Sequence, residues 1–217
     1  MMSEIVVFGA GGRAGRRVIA EAVGRGHRVT AVVREPARHS GLAGDRVTLV
    51  RGDVTRADDV AEAAAGHDVA IGSVYRADVP SAEFYVAAAH ALLEGLERAG
   101  VGRLLTVGVG TTLETAPGVP VHDTPGFPAE FRAFSLGHAA GLEVFRAAET
   151  PVDWLVVTPP PTLLDDEAPR TGGYRVGGNQ VLPGDEGVLL SYADLAVALV
   201  DEIENPRHHR TQIAVAP

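Results

Sequence analysis

Short runs of β-branched and aliphatic residues alternate along the chain with longer Ala-, Glu- and Arg-rich segments of helical spacing. The apolar runs are typical of strands buried on both faces and predict strands at 5–8, 29–33, 47–50, 69–71, 104–107 and 154–157. The segments between them predict helices over about 13–25, 57–65, 81–99 and 129–148. Strand and helix repeated in this order indicate a parallel sheet with right-handed crossovers. We therefore predict an α/β protein with a Rossmann-like, doubly wound parallel sheet.

The regular alternation stops after residue 158, where Pro159-Pro160-Pro161 marks a loop. The elements predicted beyond it are a hairpin of 174–176 with 180–182 across Gly177-Gly178-Asn179, a helix over about 191–204 and a closing strand at 212–215. We expect one domain over residues 1–217. Its small cap of loops and a hairpin is predicted to come from about 115–128 and 159–190.

A glycine-rich segment joins the first strand to the first helix. Gly9, Gly12 and Gly15 fit the pattern Gly-x-x-Gly-x-x-Gly, and Gly9, Gly11 and Ala14 also fit Gly-x-Gly-x-x-Ala. Such glycines make a tight turn, let a pyrophosphate approach the backbone and pack the helix on the strand. The N-terminus of the helix then offers free N–H groups to the phosphates. We predict a dinucleotide-binding loop formed by Gly9, Gly11, Gly12, Arg13, Ala14 and Gly15.

The end of the second strand bears on the choice of nicotinamide cofactor. A fold that prefers NAD places Asp or Glu there to bind the ribose 2′-hydroxyl. This chain has Arg34, with Arg38 one turn later and Arg13 in the glycine loop. A guanidinium suits the 2′-phosphate of NADP. We expect NADP(H) to be preferred over NAD(H), although Glu35 follows directly and leaves open the alternative that a carboxylate faces the ribose.

Composition excludes several kinds of chemistry. The 217 residues carry 19 Lys plus Arg, all of them arginine, against 28 Asp plus Glu, which gives a net charge of −9. Without lysine, Schiff bases, a P-loop and the Tyr-x-x-x-Lys dyad of short-chain dehydrogenases are excluded. Without cysteine there are no disulfides or thiolate ligands, and we expect no metal site. An acidic chain without basic blocks is a poor binder of nucleic acid or anionic membranes.

The location of the chain is predicted from its apolar runs. None of them approaches the ~20 residues of a membrane helix. The first predicted strand begins near Glu4, which leaves no room for a signal peptide. We expect a cytoplasmic protein.

Four segments together resemble the NmrA-like, NAD(P)-binding group of atypical short-chain dehydrogenases, of the NADH-flavin reductase and biliverdin reductase B type. They are Arg34-Glu35-Pro36-Ala37-Arg38, Arg51-Gly52-Asp53-Val54-Thr55, the run from Val107 to Glu114, and Asp123-Thr124-Pro125-Gly126-Phe127-Pro128. The resemblance covers nearly the whole chain and is specific for the family but not for the substrate. It implies that Asp53, followed by Val54, lies beside the adenine.

The site of a doubly wound sheet lies at the carboxyl ends of its strands, near the switch in strand order. Further cofactor contacts are therefore predicted at Gly72, Ser73, Gly108, Val109 and Pro159. Candidates for a polar role in the reaction are Thr112, Tyr75, His138 and His122, and Thr111 and Thr112 could hold the nicotinamide ribose or the substrate carbonyl. Relatives often have Tyr-Lys where this chain has Phe131-Arg132, and a serine where it has Thr112. The usual proton donor is therefore missing.

Reduction of a flavin does not need that donor, because the proton can come from solvent. We expect an NADPH-dependent, flavin-reductase-like oxidoreductase that acts as a monomer or homodimer on a flavin, a quinone or another conjugated acceptor. Two alternatives stay open. One is a redox-silent NADP(H)-binding sensor of the NmrA type, and the other is an isomerase, epimerase or ketoreductase of specialised metabolism.

Overall fold

The computed structural model describes residues 2–162, 164–184 and 189–217. Within them the helices are α1 (Arg13–Gly24), α2 (Ala57–Ala64), α3 (Ser81–Ala99), α4 (Ala129–Ala147) and α5 (Tyr192–Glu204). The strands are β1 (Glu4–Phe8), β2 (Arg28–Val33), β3 (Val47–Arg51), β4 (Val69–Gly72), β5 (Arg103–Val107), β6 (Glu114–Ala116), β7 (Val119–Pro120), β8 (Asp153–Thr158), β9 (Arg175–Gly177) and β10 (Thr211–Ala216). Short 3₁₀ segments lie at Pro36–Leu42, Gly110–Thr112 and Val121–Asp123.

Eight of these strands form one sheet in the order β3-β2-β1-β4-β5-β8-β10-β9. All neighbouring pairs are parallel except β10 and β9. The strand order reverses between β1 and β4, and this switch places the end of β1 beside the end of β4. The predicted Rossmann-like, doubly wound fold is confirmed.

The continuous apolar character of the strands follows from burial on both faces. Ile5 and Val7 of β1 pack with α1 and α5 on one side, whereas Val6 and Phe8 pack with α2 and α3 on the other. All four side chains are at most 1% exposed. Alternate residues of a strand point to opposite faces, so a sheet between two helical layers needs apolar residues at every position.

The predicted hairpin in the cap is wrong. Instead of pairing with 180–182, β9 pairs antiparallel with β10 and extends the main sheet. Gln180 forms a bridge with Glu114 at the start of β6. An isolated two-stranded hairpin is marginal in water, whereas β10 presents an unpaired edge that β9 can cover. Pairing with the larger sheet therefore prevails over the local turn signal.

The remaining cap elements are short. Within the predicted segment 115–128, β7 pairs with β6 as a small two-stranded sheet. In the predicted segment 159–190, Leu163 and residues 185–188 lie outside the described residues. Within the described ranges, the structure contains no helix that is both long and apolar enough to cross a bilayer.

One buried carboxylate ties the cap segment to the main domain. Asp194, 4% exposed, accepts hydrogen bonds from the backbone N–H groups of Thr171 and Gly172 at 2.9 and 2.8 Å. It also accepts one from the hydroxyl of Ser191, which in turn caps α5 by accepting from the Asp194 N–H. The loop before β9 is thus fixed to the first turn of α5.

Candidate functional site

Glycine is sterically required at two positions of the loop between β1 and α1. Gly9 has φ +81°, and a Cβ there would overlap the carbonyl oxygen of Ser73, which follows β4. A Cβ at Gly15 would overlap the carbonyl oxygen of Gly9. Gly9 therefore lets the loop pack against the backbone that follows β4, where the strand order reverses. Gly15 lets α1 pack against the turn that precedes it.

The N-terminus of α1 opens beside this turn. Gly12 is its N-cap, without a side chain to satisfy the first N–H groups, and its own N–H donates to the carbonyl of Gly9 at 3.0 Å. The first turn of α1 holds no acidic residue. Free N–H groups and the positive end of the helix dipole suit a phosphate at this position.

A cavity of about 280 Å³ lies between this loop and the ends of β2, β3 and β4, and we call it the dinucleotide cavity. Eight predicted site residues line it: Gly9, Gly11, Gly12, Arg34, Asp53, Val54, Ser73 and Tyr75. The other lining residues are Phe8, Val32, Val33, His39, Gly52, Val74, Arg76 and Phe84. The backbone of the glycine loop, the guanidinium of Arg34 and the carboxylate of Asp53 all line this cavity. Such a lining fits a dinucleotide.

The three arginines predicted for the adenosine end are not equivalent. Arg34 lies on the wall of the dinucleotide cavity with its side chain 53% exposed. Arg38 instead pairs with Glu35 at 2.9 Å, and neither of these two lines the cavity. Arg13 is turned toward Asp166, at 3.9 Å. The structure thus places Arg34 at the cavity and Glu35 away from it.

Asp53 is held as an ionised acceptor. Its Oδ1 accepts hydrogen bonds from the backbone N–H and the hydroxyl of Thr55 at 2.9 and 2.7 Å. Partial burial opposes ionisation, but the bonds from Thr55 and the nearby charges of Arg76 and Arg34 hold the pKa of Asp53 below its usual value. A fixed carboxylate at the cavity wall can accept from an amino group such as that of adenine.

A second cavity, of about 50 Å³, lies at the carboxyl ends of β4 and β5 under α3 and α4, and we call it the apolar cavity. It contains five predicted site residues: Gly72, Gly108, Val109, Thr112 and His138. The remaining lining residues are Val74, Tyr85, Ala88, Ala89, Leu92, Thr106, Val107, Gly141, Leu142, Phe145 and Val156. Apart from His138, no ionisable side chain other than the Tyr85 phenol lines it in the described part of the chain.

The hydroxyl of Thr112 is fully engaged. It donates to the carbonyl of Val109 at 2.8 Å and accepts from Nε2 of Gln212 at 2.9 Å. The same Nε2 also donates to Oγ1 of Thr158 at 3.1 Å. A Cβ at Gly108 would lie 2.5 Å from that Oγ1, so the glycine allows this close approach. These bonds fix the backbone at the ends of β5 and β8.

His138 packs as an uncharged ring. Its centroid lies 3.7 Å from that of Tyr85, and Phe134 meets it edge-on at 4.7 Å. Burial lowers the pKa of His138 to about 3. The imidazole is therefore neutral near pH 7 and carries no excess proton to give to a substrate.

The other predicted polar residues lie in different environments. Tyr75 is 63% exposed and packs edge-on against Phe134 with ring centroids 5.8 Å apart. The buried ring of His122 lies 2.7 Å, Nδ1 to oxygen, from the carbonyl of Thr111. Tyr75 thus faces the dinucleotide cavity, whereas His122 joins two short 3₁₀ segments.

The segment that carries Tyr-Lys in relatives is occupied differently here. Phe131 is 56% exposed, and Arg132 donates to the carbonyl of His122 and to the carboxylate of Asp123. The hydroxyl of Thr111 donates to Ser135 on the same helix. Pro159 is buried and lines neither cavity. The helix that normally supplies the proton donor therefore presents no phenol or amine at that place.

Comparison with known proteins gives the family. The sequence matches the model of NAD(P)H-binding proteins over residues 9–206. The chain belongs to the NAD(P)H-binding family. It is also 31% identical over 215 residues to YwnB of Bacillus subtilis, named as an uncharacterised protein, and the match covers 98% of this chain and 97% of YwnB. The predicted resemblance to the NmrA-like group is confirmed.

Two solved structures of similar proteins carry different names. A protein from Bacteroides thetaiotaomicron, provisionally named an epimerase, has a TM-score of 0.88 and 29% identity, with 99% of this chain and 97% of that chain covered. A protein from Streptococcus pneumoniae, provisionally named an NADH-flavin reductase, has a TM-score of 0.84 and 27% identity, with 98% of each chain covered. The family thus fixes the nucleotide class, and the two names point to different reactions.

Sequence reasoning missed His39 and Arg76, which line the dinucleotide cavity, and Gln212, which donates a hydrogen bond to Thr112. Arg76 donates to both carboxylate oxygens of Asp78, at 3.0 and 2.6 Å, and lies 3.7 Å from Asp53. Its place just after β4 was a usable signal, because that strand end faces the site. No comparable signal marks His39 in a short 3₁₀ segment or Gln212 on the last strand.

Proposed function

We propose that the protein is an NADPH-dependent oxidoreductase that transfers hydride to a flavin, a quinone or another conjugated acceptor. The observation that carries this proposal is the apolar cavity, where His138 is neutral and the Thr112 hydroxyl is engaged by Val109 and Gln212. A conjugated acceptor spreads the added electron pair over its ring system, and the reduced acceptor takes its proton from solvent after the hydride has been transferred. Such a reaction needs a dry, well-shaped site more than a positioned acid.

The proposed cofactor contacts follow the two cavities. The backbone at Gly9 and Gly12 and the N-terminus of α1 hold the pyrophosphate. Arg34 binds the 2′-phosphate, and Asp53 accepts from the adenine amino group. Gly72, Gly108 and Val109 border the nicotinamide end. When bound, NADPH supplies the hydride, and the chain's own residues orient the ring and exclude water around it.

The preference for NADPH over NADH rests on the placement of charges at the adenosine end. Arg34 faces the dinucleotide cavity, whereas the carboxylate of Glu35 is bound to Arg38 outside it. A carboxylate facing the ribose would repel a 2′-phosphate and favour NADH. The arrangement of Arg34 and Glu35 therefore supports NADPH.

A redox-silent NADP(H) sensor is the second candidate. The exposed Phe131 and the engaged Arg132 favour it, because they leave the usual Tyr-Lys position without a proton donor. In either case the partner is a small molecule, the chain acts as a monomer or homodimer, and the cytoplasm supplies the reduced cofactor.

The deciding experiment measures NADPH consumption with riboflavin, FMN, FAD and a series of quinones. Turnover with at least one acceptor supports the oxidoreductase, with Gly12→Val as the variant that cannot place the pyrophosphate. Tight NADPH binding without turnover across the whole series would reject the oxidoreductase and support the sensor. The same assay is repeated with a series of non-conjugated ketones, and turnover confined to those ketones would reject both candidates.

A further inference from the structure

The ring of His39 lies directly on the glycine loop. A Cβ built on Gly11 would lie 2.5 Å from Cε1, 2.7 Å from Nε2 and 2.9 Å from Nδ1 of His39. The imidazole is therefore in face contact with the Gly11 backbone, and any side chain at position 11 would displace it. His39 is half-buried there and forms part of the wall of the dinucleotide cavity together with Arg34.

The guanidinium of Arg16 lies beside one ring nitrogen of His39. Its Nε donates to the carbonyl of Gly11 at 2.9 Å, and its Nη2 lies 3.4 Å from Nδ1 of His39. A guanidinium only donates hydrogen bonds, so this contact favours the tautomer in which Nδ1 accepts and carries no hydrogen. In the neutral ring the proton then sits on Nε2, which has no partner among the described residues.

On the side of the cavity, the charged side chains that share the wall with His39 are Arg34, Arg76 and Asp53, and Asp78 lies 4.0 Å from Arg34 and 2.6 Å from Arg76. Arg16 of α1 and Arg34 at the end of β2 face the ring or share its cavity wall, whereas Arg38 and Glu35 of its own segment neutralise each other. A phosphate bound by Arg34 would share the wall of the dinucleotide cavity with His39. Resting on the proposed use of NADPH, we propose that His39 is a specificity-determining residue that donates Nε2–H to the 2′-phosphate, with Arg16 as the positioning residue that fixes its tautomer.

The test uses halves of the cofactor, so that it depends on no enzymatic activity. Adenosine 2′,5′-bisphosphate and 5′-AMP differ only in the 2′-phosphate, and calorimetric titration gives the affinity of each. His39→Phe keeps the flat ring on Gly11 but removes the donor. We expect this variant to lose about tenfold or more in affinity for the bisphosphate, as for a lost hydrogen bond to a charged group, and nothing for 5′-AMP.

Two further variants control the result. His39→Gln retains an N–H donor and should recover part of the loss, whereas His90→Phe removes an exposed histidine of α3 and should change neither affinity. The nitrogen chemical shifts of His39 should show the Nε2–H tautomer in the wild type, and Arg16→Leu should produce a mixture of both tautomers.

The outcomes separate this inference from the proposed function. If the wild type binds both probes equally, the preference for NADPH fails and the role of His39 fails with it. If the wild type discriminates but His39→Phe discriminates equally well, the inference about His39 alone is overturned. Equal losses for both probes would likewise overturn it, because they would place His39 at the 5′-phosphate or in the packing of the loop.

Discussion

Gln212 on the last strand donates a hydrogen bond from Nε2 to Oγ1 of Thr112, 2.9 Å away and 100 residues earlier in the chain. The amide is 3% exposed and reaches Oγ1 of Thr158 as well. Strand β10 is thereby connected to the loop that borders the apolar cavity. A single buried side chain thus fixes the ends of two strands that the chain itself does not join.

Replacing Gln212 with Ala should destabilise the protein. The buried hydroxyl of Thr158 and the half-buried hydroxyl of Thr112 would lose their shared donor, and an unsatisfied buried polar group costs about 1–3 kcal/mol. We expect a loss of that size in the free energy of unfolding, measured by urea denaturation. Thr115→Ala is the matched control, because its hydroxyl bonds a carbonyl at an exposed site. Equal losses in the two variants would show that the Gln212 hydrogen bonds contribute no more to the free energy of unfolding than an exposed hydrogen bond does.

Arg34→Ala should weaken NADPH binding by about 2 kcal/mol, or roughly thirtyfold, and leave NADH binding nearly unchanged. The physical reason is the loss of a charge-assisted bond to the 2′-phosphate. Arg38→Ala provides the control, because Arg38 is 75% exposed, pairs with Glu35 and lies outside the cavity wall. Fluorescence titration with both cofactors measures the effect. A wild type that prefers NADH, or equal losses for NADPH and NADH, would contradict the assignment.

Gly12→Val should abolish cofactor binding in a folded protein. A Cβ at Gly12 would lie 3.3 Å from the carbonyl oxygen of Gly9 and 3.9 Å from that of Ser73, so the apo fold can accommodate a side chain with a small shift. The same side chain would stand at the N-terminus of α1, where the pyrophosphate must approach. Gly24→Val, at the other end of α1 with open space around it, should bind normally. A folded Gly12→Val protein with wild-type affinity would move the dinucleotide site elsewhere.

The sequence predicted the parts of this protein that depend on local pattern. Apolar runs such as 5–8 predicted the strands because the sheet is buried on both faces, and the glycine spacing predicted the loop because Gly9 and Gly15 meet backbone. The prediction of a hairpin at 174–182 was wrong because β9 pairs with the free edge of β10, a strand that lies much later in the chain.

The candidate site was predictable only where a strand end carries it. Arg34 and Ser73 were found because they follow strands, and Asp53, which also follows a strand, was found through the resemblance to the family. A short 3₁₀ segment places His39 at the wall of the cavity. Gln212 contacts Thr112 only because the last strand joins the sheet. Such long-range placement leaves no periodic trace in the sequence.

The carboxylate of Glu21 should make stability depend on acid pH. It is 9% exposed and pairs with Arg170 at 2.6 Å and with Arg25 at 2.7 Å, which ties the cap segment to α1. The hydrogen bond from Arg170, supported by Arg25, holds the pKa of Glu21 below its usual value. A lowered folded pKa contributes stability above the unfolded value of about 4.3, and that contribution is lost as the pH falls through the folded value.

The corresponding variant is Glu21→Gln. Above pH 5 it should be less stable than the wild type, and the difference should shrink as the pH falls below about 4. Urea unfolding at a series of pH values measures this convergence. Glu62→Gln, at an exposed position of α2, should differ from the wild type by a small amount that does not change with pH. A Glu21→Gln difference that stays constant down to pH 3 would contradict the role of the Arg170 pair.

The last prediction concerns the source of the proton. In a flavin or quinone reduction by this protein, His138→Phe, Tyr75→Phe and Thr112→Ala should each lower turnover by less than about tenfold, because a positioned general acid typically contributes ~10²–10⁴-fold. His138→Phe keeps an aromatic ring against Tyr85 and Phe134, so a folding defect will not obscure the result. With the pKa of His138 lowered to about 3, turnover should also lack a steep change near the ~6.5 of an ordinary histidine. A thousandfold loss in His138→Phe with intact cofactor affinity would make His138 the acid and would shift the function toward a carbonyl reductase or isomerase.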